Sequence, residues 1–333
     1  MMTHTRLVSL PRAALLGTAI LASPAAPTAS ANDSTAELGA GGLQLVRTED
    51  IALLSEDLFV SVDQIRVTYR FRNRTDTPRT YLVAFPLPTI DAVVPEAMNV
   101  VMPRGGDPNF VDFKVTVDGV PVAPSIEERA TALGVDRTAE LKRLGLPLNP
   151  IAEGLYQRLE ALPESTRDEL NRLGLIYVDP YNVEAAWKLE TTFYWEQSFP
   201  PGRDVVVEHS YQPVVGYGFF GDYALDDPAY KASYCIDADF DRAARRQLDA
   251  VKNSNLPYLE EKRLSYILTT ANNWSGPIGD FTLTIDKGST DALVSFCGTG
   301  VKKIAPTRFQ VKATDFMPDR ELDILIVAPS RRN

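Results

Sequence analysis

The sequence predicts a mainly β fold with a helical insertion (α+β), arranged as two antiparallel β-sandwich-like regions around a helix-rich segment. Three observations predict it. Ile65, Val67, Tyr69 and Phe71 alternate with Arg66, Thr68 and Arg70, the period-2 pattern of a half-buried strand. After Pro124 the composition shifts to Glu, Leu, Arg and Ala, which favours helix. Four apolar runs, "DFTLTID", "ALVSFCG", "TRFQVKAT" and "ELDILIV", then close the chain, separated by Gly, Pro, Asp and Ser.

Residues 1–31 read as a signal peptide. Arg6 and Arg12 form a basic start, Ala13 to Ala22 is a short apolar run, and Ala29 and Ala31 offer an A-x-A site with cleavage expected before Asn32. Ten apolar residues are too few to span a bilayer, which needs about 20. A periplasmic or secreted protein is therefore expected, with no transmembrane segment in the mature chain. Losing Arg6 and Arg12 moves the net charge from −10 to −12. A chain this acidic gains little from counterion release, so nucleic acid is an unsuitable partner.

Residues 32–123 form the first β-sandwich region. "LFVSVDQIRVTYRF" from Leu58 is strand, "NRTDTP" from Asn73 turns, and "TYLVAF" resumes. The prolines of "PLPTIDAVVP" cannot donate to a ladder, so this stretch leaves the sheet or runs along its edge. Val111, Phe113, Val115 and Val117 alternate with polar residues, and Asp118-Gly119 is a hairpin turn. Residues 124–180 form the helical insertion, starting at "SIEERATALG". Within it "ELKRLGL" from Glu140 and "ELNRLGL" from Glu169 nearly repeat, each placing a glycine where a helix ends with φ > 0. Residues 181–333 form the second β region. Val205, Val207, His209 and Tyr211 share one strand face, while "DADFDRAARRQLDAV" and "LEEKRLSYILTTANNW" read as helices or helical turns.

Candidate sites are few. Cys235 and Cys297 are the only cysteines, an even pair in an oxidising compartment, and one disulfide is expected. A catalytic thiol would need a base, and the mature chain has one histidine, His209. That histidine, among apolar neighbours, is expected to be buried and hydrogen-bonded. "DADFDR" imitates a calcium loop, but Arg242 stands where glycine is required. Gly216, Gly218 and Gly221 spell G-x-G-x-x-G, yet no βαβ unit surrounds them, and Asp222, Asp226, Asp227 and Pro228 follow. A bent aromatic loop leaving a strand fits better than a nucleotide site. Tyr217, Phe219, Phe220 and Tyr223 with Asp222, Asp226 and Asp227 form a candidate contact surface; the alternative is that the rings plug a junction in the core. No cofactor or metal signature is present. Glu190 and Glu208 could form a glycosidase pair if their strands are neighbours.

"ANDSTAELGAGGLQLVRTEDIALLSEDLFVSVDQIRVTYRFRN" with "FPLPTID", "FYWEQSFPPGRDVVVEHSYQPVVG", "YCID" and "YILTTANNWSGPIGDFTLTID" resembles the uncharacterised bacterial family of domain of unknown function 4424. The resemblance covers the whole mature chain and implies an exported bacterial protein, without catalytic residues to carry over. A weaker likeness, in "VTYRFRNRTDTPRTYLVAFPLPTIDAVV", is to vault/inter-alpha-trypsin (VIT) domains, which implies a β-sandwich interaction module.

The expected function is a non-enzymatic binding or protein-interaction module, its partner an envelope protein or a small ligand. The alternatives are a carboxylate-dependent envelope hydrolase acting on a glycan and a purely structural envelope protein.

Overall fold

The computed structural model describes residues 32–39, 42–93, 98–179, 181–252 and 258–330. The signal-peptide reading falls on residues outside that set. The fold is mainly β with helical segments, as the sequence predicts.

Among the described residues, three large antiparallel-rich sheets stand beside a two-stranded one, Ile176–Val178 with Val183–Ala185. The first runs in the order Val135–Asp136, Ser125–Ala132, Lys188–Phe199, Arg79–Pro86, Ser34–Gly39, Gly42–Val46, with Ile90–Asp91 also paired to Lys188–Phe199. The second has eight strands: Lys302–Lys303, Arg308–Phe316, Ile278–Asp286, Ile51–Val60, Ile65–Asn73, Asp204–Tyr211, Lys114–Val117 and Val120–Val122. The third has five: Leu293–Phe296, Leu322–Pro329, Leu259–Tyr266, Val215–Phe220 and Met98–Val101. Each of the three large sheets draws strands from both sides of the helical insertion. The junction between Ile51–Val60 and Ile278–Asp286 is parallel, so no hairpin can make it.

One large core joins the layers. Alternation along the Ile65–Asn73 strand buries Ile65, Val67, Tyr69 and Phe71 and exposes Arg66, Thr68 and Arg70. Across the core, Phe85 stacks on Phe113 and Phe113 on Phe193, with centroids 5.0 and 4.4 Å apart. The same core takes in Leu264, Tyr266, Ile324 and Ile326 from the third sheet, and Leu141, Leu155 and Leu170 from the insertion. The other face of the third sheet carries a second core, where Phe220, Leu259, Leu325 and Val327 meet Phe240, Ala244 and Leu248 of the Ala238–Lys252 helix.

The near-repeats have one physical cause. After the Thr138–Arg143 helix, Gly145 has φ 65°, Leu146 N–H donates to the Leu141 carbonyl at 3.0 Å and Gly145 N–H to that of Lys142 at 3.0 Å. After Glu164–Arg172, Gly174 has φ 71° and the same pair of bonds runs from Leu175 to Leu170 and from Gly174 to Asn171. Both are Schellman ends closed by a leucine–leucine contact, which the L-x-x-L-G-L spacing encodes. Trp187 pins the insertion by donating its indole N–H to the Leu148 carbonyl at 2.7 Å. Asp118 and Gly119, at φ 49° and 78°, turn the expected hairpin.

Two segments read as helical are strands. Ser125–Ala132, read as the start of the helical insertion, is a strand laid along Lys188–Phe199. Its charges belong to the sheet: Glu127 accepts the Leu43 N–H at 2.9 Å, and Arg129 pairs with Asp136 of the next strand at 3.4 Å. Leu259–Tyr266, read as helical, is the central strand of the third sheet. A Glu-Glu-Lys-Arg run favours helix locally, but here pairing on both edges decides.

Cys235 and Cys297 are bridged, with Cα atoms 5.0 Å apart across 62 residues of chain. The bridge ties the segment before the Ala238–Lys252 helix to the end of the Leu293–Phe296 strand. Replacing both cysteines by serine is expected to lower unfolding free energy by about 4 kcal/mol, the loop entropy of such a ring. Urea unfolding of the oxidised and double-serine chains measures it.

Candidate functional site

Gly216 and Gly218 lie within a paired strand, between Met98–Val101 and Leu259–Tyr266, which corrects the expectation of a bent loop. Gly221 precedes only a five-residue helix, Asp222–Asp226. Strand alternation divides the aromatic cluster. Phe220 is buried in the second core near Phe240. Tyr217 faces the other way, half-buried, with Lys262 Nζ 5.3 Å from its ring centroid. Phe219 and Tyr223 are 56% and 55% exposed; Phe219 packs edge-on against Tyr258, and the Tyr223 hydroxyl donates to the Phe219 carbonyl at 2.5 Å.

The acids of the cluster hold helices. Asp222 pairs with Lys252 at 3.0 Å, Asp226 with Arg245 at 2.9 Å, and Asp227 caps the Pro228–Ser233 helix by accepting the Ala229 N–H at 2.8 Å. Phe219 and Tyr223, joined by Tyr258, are the outward-facing part of the expected contact surface.

What the glycines do becomes clear across the strand. Gly216 stands opposite Arg263 and Gly218 opposite Glu261, and directly paired residues share a sheet face. On that face Glu261 is 1% exposed and pairs with the Arg263 guanidinium. The Tyr230 hydroxyl donates to Glu261 at 2.5 Å, and Arg263 lies over the Tyr230 ring, 5.3 Å from its centroid. Burial opposes the Arg263 charge, but the hydrogen bond and charge of Glu261 outweigh it and hold its pKa above the usual value. Burial likewise pushes the Tyr234 hydroxyl up to about 12, with the Arg263 charge and hydrogen bond opposing.

Beside this cluster is a cavity of about 260 Å³. Arg263, Tyr234, Ser265 and Gly216 line it together with apolar residues such as Leu87 and Ile90, and Thr89, Asp91 and Tyr211 add further polar groups. The Arg263 Nε–H is buried and has no hydrogen-bond partner. A few polar groups converging on an apolar pocket are the usual form of a small-molecule site. Arg263, Glu261, Tyr230 and Tyr234 escaped the sequence reading. Their signal is the alternation of Leu259, Glu261, Arg263 and Ser265 against Leu264 and Tyr266.

A second concavity, about 610 Å³, lies on the outer face of the eight-stranded sheet. There Arg66 and Arg308 lie 4.7 and 5.8 Å from the centroid of the Phe59 ring. Glu208 lines it, but Glu190 belongs to the first sheet, so the two do not stand on neighbouring strands. His209 is buried, yet neither ring nitrogen is hydrogen-bonded, contrary to expectation; Nε2 lies 3.5 Å from Asp33 Oδ2. The imidazole is caged edge-on by Phe85, Phe113, Tyr69 and Trp195, and burial lowers its pKa to about 3.

Residues 31–325 match the family described as Domain of unknown function (DUF4424). Among solved structures, one match is a Legionella pneumophila protein titled "a putative nutrient binding protein", with 12% identity and a TM-score of 0.42 over 90% of this chain and 70% of that one. A likeness at that level decides nothing about function. No curated protein matches. The VIT-type likeness of the N-terminal region is not supported by these findings.

Glu261→Leu leaves Arg263 and the Tyr230 hydroxyl without their partner and is expected to cost about 3 kcal/mol. A loss below about 1 kcal/mol, typical of an exposed ion pair, would contradict the buried cluster. Phe219→Ser and Tyr223→Ser are expected to stay within about 0.5 kcal/mol of wild type.

Proposed function

The chain belongs to the family described as Domain of unknown function (DUF4424), and we propose that it is an exported, non-enzymatic binding protein for a small molecule. The observation that carries this reading is the buried, unpartnered Nε–H of Arg263 at an apolar cavity of about 260 Å³. A buried donor without a partner costs free energy that a ligand's acceptor would recover. The apolar part of the wall asks for a compact hydrocarbon body, and Arg263 with Tyr234 asks for a carbonyl or carboxylate at one end; Asp91, which also lines the cavity, is paired with Lys188 at 2.8 Å. Glu261 already compensates most of the guanidinium charge, which favours a neutral or singly charged ligand.

Export to the periplasm or outside is supported by the basic start, the apolar run and the A-x-A site of residues 1–31. The Cys235–Cys297 bridge agrees with an oxidising compartment. Among the described residues, no helix is long and apolar enough to cross a membrane. A second reading, docking of an envelope protein, is favoured by one observation: Phe219 and Tyr223 are large, exposed and fixed to each other. The hydrolase reading lacks such support, since Glu190 and Glu208 belong to different sheets.

The test is a thermal-shift and NMR screen of small monocarboxylates and amides with apolar bodies, repeated on Arg263→Met. Ligands that raise the melting temperature of wild type are expected to bind Arg263→Met at least about 10-fold more weakly, the cost of losing a charged hydrogen bond. Equal binding by both proteins would contradict the pocket. A partner captured by crosslinking and lost in a Phe219→Ser, Tyr223→Ser chain would favour docking instead.

A further inference from the structure

The first residues after the expected cleavage site are seated deep inside the fold. Asn32, Asp33, Ser34 and Thr35 are all 0% exposed. The Asn32 N–H donates to Thr270 Oγ1 at 2.5 Å, and Thr270 returns a bond to the Asn32 carbonyl at 2.8 Å. Trp274 Nε1 donates to the Asp33 carbonyl at 2.5 Å, and Asn273 Nδ2 to Ser34 Oγ at 2.8 Å. Polar residues have thus been drawn into the interior and fixed there by partners about 240 positions away.

That nest holds two acids and no cation: the one basic side chain beside them is His209, whose Nε2 lies 3.5 Å from Asp33 Oδ2 and which burial holds neutral. Glu56 is 1% exposed and Asp33 0%. Glu56 Oε2 accepts the Asn32 side-chain amide at 3.0 Å, while Glu56 Oε1 and both Asp33 oxygens have no hydrogen-bond partner. No Lys or Arg among the described residues forms an ion pair with either. The surrounding groups that could titrate are His209, Tyr69, Tyr266 and Tyr211. Burial holds His209 neutral, and burial raises the pKa of all three tyrosines, so none supplies a cation.

One atom in the nest changes charge when the chain is processed, and that is the α-nitrogen of Asn32. Hydrolysis of the Ala31–Asn32 bond adds water across it, leaving a carboxylate on Ala31 and an ammonium on Asn32. Covalent geometry keeps this nitrogen within a side chain's length of the amide that Glu56 already accepts from. As an amide it gives one donor, spent on Thr270; as an ammonium it gives three donors and a full charge.

We infer that the α-ammonium of Asn32, released by a signal peptidase, is the buried counter-ion of Glu56 and Asp33, so that this core is completed only on the processed chain. The inference rests on the export reading for its peptidase, and on the observed nest for its ion pair. It also orders events: a peptide bond at the edge of fully buried residues is out of a peptidase's reach, so cleavage precedes closure of this corner.

The pH signature follows from the acids. In a chain extended beyond Asn32, burial raises the Glu56 carboxyl from 4.5 to about 8, with the Asn32 amide opposing. Asp33 is raised as well, by burial and by Glu56. A raised acid gives stability that is complete below its unfolded pKa and is lost as pH climbs through the folded value. His209 works oppositely, its contribution complete above 6.5 and lost as pH falls toward 3. Between pH 6.5 and 8 the acids therefore act without His209. There the extended chain loses stability with rising pH, and the Asn32 chain loses less, because its α-amine begins to release its proton in the unfolded state only at about pH 7.7 to 8.0.

The experiment first determines the amino terminus of protein exported with its own leader, by intact mass. It then compares two purified chains, one starting at Asn32 and one retaining Ser30 and Ala31, by urea unfolding at pH 6.5 and 8, each also carrying Glu56→Gln. The Asn32 chain is expected to fold with an equilibrium constant on the order of 100-fold larger. Glu56→Gln is expected to destabilise the Asn32 chain and to leave the extended chain unchanged or more stable. Should the extended chain fail to fold, the Asn32 chain alone decides, because its α-amine is then expected to resist acylation until urea unfolds it. Equal stabilities, the same sign for Glu56→Gln in both chains, or a freely acylated native amine would overturn the ion pair. An exported chain starting elsewhere than Asn32 would overturn the processing step alone.

Discussion

The structure depends on a seam between the two ends of the chain. The Ile51–Val60 strand lies parallel to Ile278–Asp286, and residues 32–35 are fastened to Thr270, Asn273 and Trp274. Tyr69 and Tyr266 meet across the same interior, hydroxyl to hydroxyl at 2.8 Å. None of these contacts is local, so the entropy of closing 197 residues of chain or more precedes any reward from them. Once formed, the seam leaves no independent half. The second sheet needs the last third of the chain to reach its full width, and the third sheet needs Met98–Val101 from the first.

This interleaving explains which features the sequence made legible. The L-x-x-L-G-L helix ends, the Asp118-Gly119 hairpin and the alternating Ile65–Phe71 strand are local, and each was readable from a few adjacent residues. The cysteine pair was readable because only one pairing exists. Ser125–Ala132 and Leu259–Tyr266 were misread because what stabilises them comes from elsewhere. Leu43 donates to Glu127, Thr131 donates to Glu190, and Tyr230 reaches Glu261. A strand whose charges are satisfied by distant segments looks like a solvated helix to any local rule. Residues 32–35 were opaque for the same reason, since nothing in Asn-Asp-Ser-Thr signals burial.

The candidate site sits where these long-range constraints converge. Gly216 and Gly218 drew notice for a spacing that suggested phosphate, but their strand places them opposite Arg263 and Glu261. The pocket chemistry then belongs to the partner strand and to Tyr230 and Tyr234, delivered by the helical layer. Half of the cluster was therefore visible as a motif, while its chemical meaning was carried by residues that alternate along a strand not recognised as one. The buried acids near Asn32 lie in the interior that the seam closes.

The most direct test of the seam is native-state hydrogen exchange, followed by mass spectrometry of the mature chain across a series of low urea concentrations. If the two ends of the chain form one unit, peptides from Ile51–Val60 and Ile278–Asp286 will open with the same free energy and the same urea dependence. Exchange of Ile278–Asp286 at distinctly lower free energy, while Ile51–Val60 stays protected, would contradict the account.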